Sequence, residues 1–253
     1  MSIQHPLTVN GTAKSQILAG VAISAYLSTS VLSSTIRRLF SLLVLLMLPF
    51  LLLTATQVQA GDSPQSKQTL LVLGDSISAG YGLRQGQGWV DLLDKRLKQQ
   101  GYETQVVNAS ISGETTQGGL TRLPALLRQH QPDLVLLELG GNDGLRGLPL
   151  HLMQNNLSRM IDLSRQAQAT PVLLGIQLPP NYGRRYTSAF AAVYPALAEQ
   201  KQVAVVPFIL EKIAIYPDLM QSDGIHPKAE AQRQLLDNIW PSLKPLLKMS
   251  EQG

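Results

Sequence analysis

The chain has 253 residues, 44% of them hydrophobic and 15% charged, which suits one or two globular domains and excludes a disordered chain. It contains no cysteine, which excludes a disulfide scaffold, a Cys-ligated zinc or iron–sulfur site and a thiol nucleophile, and suits an oxidising compartment. The net charge of +4 is not a nucleic-acid footprint: residues 1–60 carry Lys14, Arg37 and Arg38 with no acid, and the remainder holds 18 Lys and Arg against 17 Asp and Glu.

The first sixty residues read as an address. Arg37-Arg38 precede an apolar run from Leu39 to Leu53, broken only by Ser41 and Pro49, and Val58-Gln59-Ala60 follow. That is the order of a secretory signal, with cleavage expected after Ala60. The expectation is therefore an N-terminal extension and signal over 1–60, a mature domain over 61–253, and a periplasmic location without stable membrane insertion. The competing reading is an inner-membrane anchor over residues 39–56. The run is short for a span of roughly 20 residues, and Pro49 interrupts it.

From residue 68 strands and helices alternate. Thr69–Leu73 reads as a buried strand, and Trp89–Gln100 as a helix with Trp89, Leu92, Leu93 and Leu97 on one face. Strand Thr104–Ala109 and helix Thr116–Gln129 follow. Then come strand Leu134–Leu137, helix Pro149–Gln168, strand Pro171–Ile176, helix Phe190–Gln200, strand Val203–Val206 and a closing helix Pro227–Leu247. Such alternation predicts an α/β domain with one parallel sheet covered on both faces. Its sites should lie beyond the carboxyl ends of the strands.

Four segments stand at those ends. In Gly74-Asp75-Ser76-Ile77-Ser78 a Ser follows a strand, where a tight turn can project its hydroxyl; a plain turn with a helix cap fits as well. The pattern is neither G-x-S-x-G nor a phosphate-binding loop. Gly113, in Ser110-Ile111-Ser112-Gly113-Glu114, can offer a backbone N–H to a ligand. Asn142, in Gly140-Gly141-Asn142-Asp143-Gly144, can offer an amide N–H to a developing oxyanion; both segments also suit ordinary turns. Asp223-Gly224-Ile225-His226-Pro227 places a carboxylate three residues before a histidine, the spacing that lets an acceptor hold one ring nitrogen while the other works as a base. His130 and His151 have no such neighbour. Together these segments supply a nucleophile, a base, its orienter and oxyanion donors, the parts of acyl transfer.

In this order the four segments resemble the SGNH (GDSL) hydrolase family over about residues 68–243. The marker residues map onto Ser76, Gly113, Asn142 and His226, with Asp223 completing a triad. The resemblance implies a flavodoxin-like three-layer α/β/α sandwich around a five-stranded parallel sheet, with no metal and no cofactor. It implies hydrolysis of acyl thioesters and carboxylic esters, lysophospholipids and lipid acyl groups included; the chain is expected to be a monomer, and its near-neutral body gives no support for a nucleic-acid partner. The oxyanion would be received by the Ser76 and Gly113 N–H groups and the Asn142 side chain. Residues Gly144, Leu145, Arg146, Gly147, Leu148 and Pro149 are implied to form a mobile loop over the acyl site. Leu145, Leu148 and Leu178 are candidates to touch the acyl chain, although core or loop packing suits them equally. A carbohydrate or short-chain arylester esterase is the alternative on the same scaffold. A non-catalytic nucleotide binder would need a phosphate cradle that the loop after the first strand lacks.

Overall fold

The computed structural model describes residues 67–249. The extension, the signal and the cleavage position expected at Ala60 lie outside the described residues.

Five parallel strands form one sheet: β1 (Gln68–Gly74), β2 (Thr104–Asn108), β3 (Leu134–Glu138), β4 (Thr170–Leu174) and β5 (Ala204–Val206), in the order β2-β1-β3-β4-β5. Side chains alternate across a strand, so a strand covered on both faces must be apolar at every position. Leu70, Val72, Leu134, Leu136, Val172 and Leu174 face α2 (Trp89–Gln99) and α7 (Gln232–Leu243). Leu71, Leu73, Val135, Leu137 and Leu173 face α3 (Thr116–His130), α5 (Leu150–Gln166) and α6 (Arg184–Lys201). The result is the expected three-layer α/β/α fold.

Pro171 sits inside β4 without breaking the sheet. Thr170 N–H donates to Asp133 C=O on the β3 side, so the next residue turns its backbone towards β5. Pairing with β5 begins only at Val172, so the missing Pro171 N–H leaves no rung empty.

Helix ends depart from the sequence reading for local reasons. Helix α6 begins at Arg184, six residues before Phe190, because Gly183 (φ 86°) turns the chain and its carbonyl accepts from Tyr186 and Thr187 N–H. The apolar repeat starts only at Phe190, the first buried residue of the helix. Helix α7 is shorter than Pro227–Leu247. Pro227 pairs with Met220 in an antiparallel bridge, a 3-10 turn spans Ala229–Ala231, and Pro245 ends the helix in a second such turn over Lys244–Leu246. Two short helices went unread: α1 (Ser76–Ala79) and α4 (Gly141–Leu145).

The strand order matters for function. From β1 the chain crosses to one side to make β2, and from β3 it crosses to the other side to make β4. The loops after β1 and β3 therefore leave in opposite directions and open a crevice at the carboxyl edge.

Candidate active site

Ser76 is the first residue of α1, the four-residue turn that follows β1. Asp75 caps that turn, its Oδ1 accepting from Ile77 N–H at 3.0 Å. Gly74 is required by close approach: a Cβ there would lie 2.6 Å from Glu138 Oε2 and 2.8 Å from Ser78. A strand that ends in Gly, a capping Asp and a Ser thus delivers a half-buried hydroxyl at the crevice.

His226 arrives from the loop before α7. Its Nε2 lies 2.8 Å from Ser76 Oγ and its Nδ1 lies 2.6 Å from Asp223 Oδ2. The other oxygen of Asp223 accepts from the backbone N–H groups of Ile225 and His226 at 2.9 and 3.0 Å. Burial alone would raise the Asp223 carboxyl. The hydrogen bonds from the His226 backbone, the His226 ring and the Ile225 backbone outweigh it and lower the group to about 2. The Tyr81 ring lies 4.5 Å from the imidazole, centre to centre. Gln221 N–H donates to His226 C=O, and Gln221 Nε2 donates to Tyr81 C=O, which ties this loop to the segment after α1. Buried Gln232 donates to Pro227 C=O and accepts from Trp89 N–H, fixing the start of α7 to the start of α2. His130 ends α3 and His151 opens α5; neither has a carboxylate partner among the described residues.

Ser76, Asn142 and His226 line a cavity of about 510 Å³, within the usual range for small-molecule sites. Of the residues implied for acyl binding, Leu145 and Leu178 line it. Gly144, Arg146, Gly147, Leu148 and Pro149 do not. Gly144 is packed against Phe190 and Leu178, while Arg146 reaches sideways to donate to Gly113 C=O at 3.0 Å. The segment implied to be a mobile loop is partly helix α4, and Tyr182 and Tyr186 donate to the carbonyls of Leu145 and Gly144. Gly113 has φ 81° in the loop after β2 and stands outside the cavity lining. That loop is fastened to β1 through Ile111 N–H and Gly74 C=O. More of the apolar wall comes from Ile176, Phe208, Leu210, Ile215 and Met220, several of them after β5, where the sequence carried no motif. Two other clefts, beside Lys98–Val106 and beside Gln131–Asp133, lie at the opposite edge of the sheet and hold no nucleophile–base pair.

Two buried carboxyls beneath Ser76 were not assigned a role from sequence. Glu138, at the end of β3, is fully buried. Its Oε2 accepts from Asp75 N–H at 3.2 Å and from Ser78 Oγ at 2.6 Å, and Ser78 Oγ accepts from Trp89 Nε1 at 3.2 Å. Burial, and next the Asp75 charge, push Glu138 well above the usual carboxylate range, which favours its protonated form. Asp75 is 3% exposed, and burial raises it to about 6 against the opposing pull of Ile77 N–H, the His226 charge and the Asn142 amide. The signal that could have found Glu138 is a carboxylate inside an otherwise apolar strand. Among the described residues no group of three or more His, Cys, Asp or Glu is arranged to hold a metal ion.

The arrangement is that of acyl transfer: a hydroxyl, an imidazole to take its proton, a carboxylate to hold the imidazole, and an amide beside the cavity. The family model for the GDSL-like lipase/acylhydrolase family matches residues 72–234. The chain belongs to that family. Curated relatives include the esterase TesA of Pseudomonas aeruginosa, 59% identical over 71% of this chain and 90% of the relative. The thioesterase 1/protease 1/lysophospholipase L1 of Escherichia coli K12 is 47% identical over 79% of this chain and 93% of the relative. An arylesterase of Vibrio mimicus is 52% identical over 66% of this chain and 84% of its own. A crystal structure of TesA superposes with a TM-score of 0.70, covering 71% of this chain and all of the other. Membership in this GDSL/SGNH family makes the chain a hydrolase of the acyl-ester class.

Proposed function

We propose that this GDSL hydrolase cleaves acyl thioesters and carboxylic esters, long-chain acyl-CoA and lysophospholipids among them, through an acyl-enzyme on Ser76. The observation that carries this reading is the 2.8 Å approach of His226 Nε2 to Ser76 Oγ at the floor of a largely apolar cavity. His226 takes the Ser76 proton as the oxygen attacks the carbonyl carbon. Asp223 holds the imidazole and stabilises its charged form. The Ser76 and Gly113 N–H groups and the Asn142 side chain receive the oxyanion. His226 then protonates the leaving thiol or alcohol, and water repeats the sequence on the acyl-enzyme. Leu145 and Leu178 take part of the acyl chain.

The reading also includes export to the periplasm with cleavage after Ala60, supported by the basic pair, apolar run and small residues before Gly61. Among the described residues no helix is long and apolar enough to cross a membrane. The similarity to an arylesterase supports a second reading, in which short aryl esters are preferred. A panel of aryl esters, acyl-CoA thioesters and lysophospholipids of increasing chain length, assayed on the purified protein, tests both. Higher kcat/KM on long acyl-CoA and lysophospholipids supports the first reading, and decline beyond short aryl esters supports the second. Turnover of none of them would defeat the hydrolase assignment.

A further inference from the structure

We infer that Asp75 is a positioning residue whose carboxylate orients the Asn142 amide so that an N–H, and not the carbonyl, faces the reacting oxygen. The inference rests on the reading of Ser76 as nucleophile and Asn142 as oxyanion donor.

The argument starts from the two ends of an amide. An Asn side chain presents two N–H donors on one end and a carbonyl acceptor on the other, and the ends have nearly the same shape. Packing alone therefore distinguishes them poorly, while their effects on a developing oxyanion are opposite. An ionised carboxylate only accepts. Asp75 Oδ2 lies 3.2 Å from Asn142 Nδ2, so only the orientation with the NH₂ end towards Asp75 makes a bond there. The reverse would set two acceptors against each other in a buried place. One Asn142 N–H is used on Asp75, and the second is left for the cavity that Asn142 lines with Ser76.

Asp75 is itself held on every side. Its Oδ1 accepts from Ile77 N–H, its backbone N–H donates to Glu138, and Gly141 stands close enough that a Cβ there would lie 3.1 Å from Oδ2. Behind it, Glu138, Ser78 and Trp89 form a continuous hydrogen-bonded chain. The residue that precedes the nucleophile in sequence thus reaches across from β1 to α4, coupling the attacking group to the group that receives the charge. Its second possible influence is electrostatic, through His226, and the experiment separates the two.

The test is steady-state kinetics of the full-length protein on a chromogenic acyl ester. The variants are Asp75→Asn, Asp75→Ser, Asn142→Ala, Ser76→Ala and the Asp75→Asn/Asn142→Ala pair. Serine also caps a helical turn but is too short to reach Asn142, so Asp75→Ser keeps the test available if Asp75→Asn does not fold. The expected result is a fall in kcat of about 100- to 1,000-fold for Asp75→Asn and Asp75→Ser, similar to Asn142→Ala, with KM little changed. In the Asn142→Ala background Asp75→Asn should cost less than about threefold more, because the group it orients is already gone. Wild-type kcat in Asp75→Ser, beside an inactive Ser76→Ala, overturns this inference alone. An undiminished loss in the Asn142→Ala background also overturns it and assigns the effect to His226. A Ser76→Ala enzyme with normal turnover overturns the reading of the site and this inference with it.

Discussion

Ser76 Oγ and His226 Nε2 stand 2.8 Å apart although 150 positions separate them in the chain. The contact depends on β1 lying inside the sheet, between β2 and β3, and on the loop before α7 folding back over its end. That loop is held by Gln221 bonded to Tyr81 and by Gln232 bonded to Trp89.

Ser76→Ala should abolish ester hydrolysis and leave the fold intact. Ser76 is only half-buried, and the change removes one oxygen, so stability should shift by about 1 kcal/mol or less. Activity with a chromogenic ester and a thermal melt check both halves. Normal turnover with an unchanged melt would remove Ser76 as the nucleophile.

The acid limb of the pH–rate profile should involve two protons. His226 must be neutral to accept the Ser76 proton, and Asp75 must be ionised to hold Asn142. Burial has raised Asp75 to about 6, so its activity-supporting form is gained as pH rises through that value. The other groups facing Asp75 stay constant there: Glu138 from β3 and Tyr194 from α6 are both pushed well above their ordinary values by burial and remain neutral. Asp223, lowered to about 2, remains charged. Log kcat/KM against pH should therefore fall with a slope approaching two on the acid side, and with a slope of one in Asp75→Asn. The step near 6 belongs to the interacting Asp75–Glu138 pair and not to Asp75 alone. A slope of one in the wild type would remove Asp75 from the profile.

Glu138→Gln should flatten the dependence of stability on pH. In the folded protein burial and the Asp75 charge keep Glu138 protonated well above its ordinary 4.5. The unfolded chain gives that proton up near the ordinary value. The folded state then binds more protons, so this group makes stability fall as pH rises between the unfolded and folded values. Asp75, also raised by burial, contributes with the same sign, and because it interacts with Glu138 the comparison reads the pair. Melting temperatures from about pH 5 to 8 should decline less with pH in Glu138→Gln than in the wild type. Parallel curves would mean that Glu138 is already ionised in the fold.

Export should leave a mature chain that begins at Gly61. The pattern behind this is Arg37-Arg38, the apolar run to Leu53 and Val58-Gln59-Ala60. N-terminal sequencing of the protein from a periplasmic extract decides it. An uncleaved chain in the membrane fraction would instead favour the anchor over residues 39–56.

The inner strands were legible because each is a run of apolar residues bounded by Gly, Pro or polar turns, a signal carried by neighbours in sequence, and edge strand β2 keeps only Val106-Val107 of that pattern. The Asp223–His226 pair was legible for the same reason, since three residues and a glycine are enough to bring carboxylate and ring together. Helix starts such as Arg184 were not, because capping by Gly183 and a polar first turn leave no apolar repeat to read. The cavity wall after β5 was hidden too, as Phe208, Leu210 and Ile215 become neighbours of Ser76 only once the sheet is assembled.

By itself, then, the sequence determined the alternation of elements and the place of four polar segments beyond the strand ends, which follow from local periodicity, while the candidate nucleophile, base and amide among them came from the four segments taken together and from the family they resemble. Only the tertiary structure decided that Asp75 meets Asn142 across 67 positions and that Glu138 lies fully buried beside Asp75. The same is true of the protonation states that follow. Desolvation and charge–charge interaction depend on distance in space, and β1 and β3 become neighbours only through the order β2-β1-β3-β4-β5.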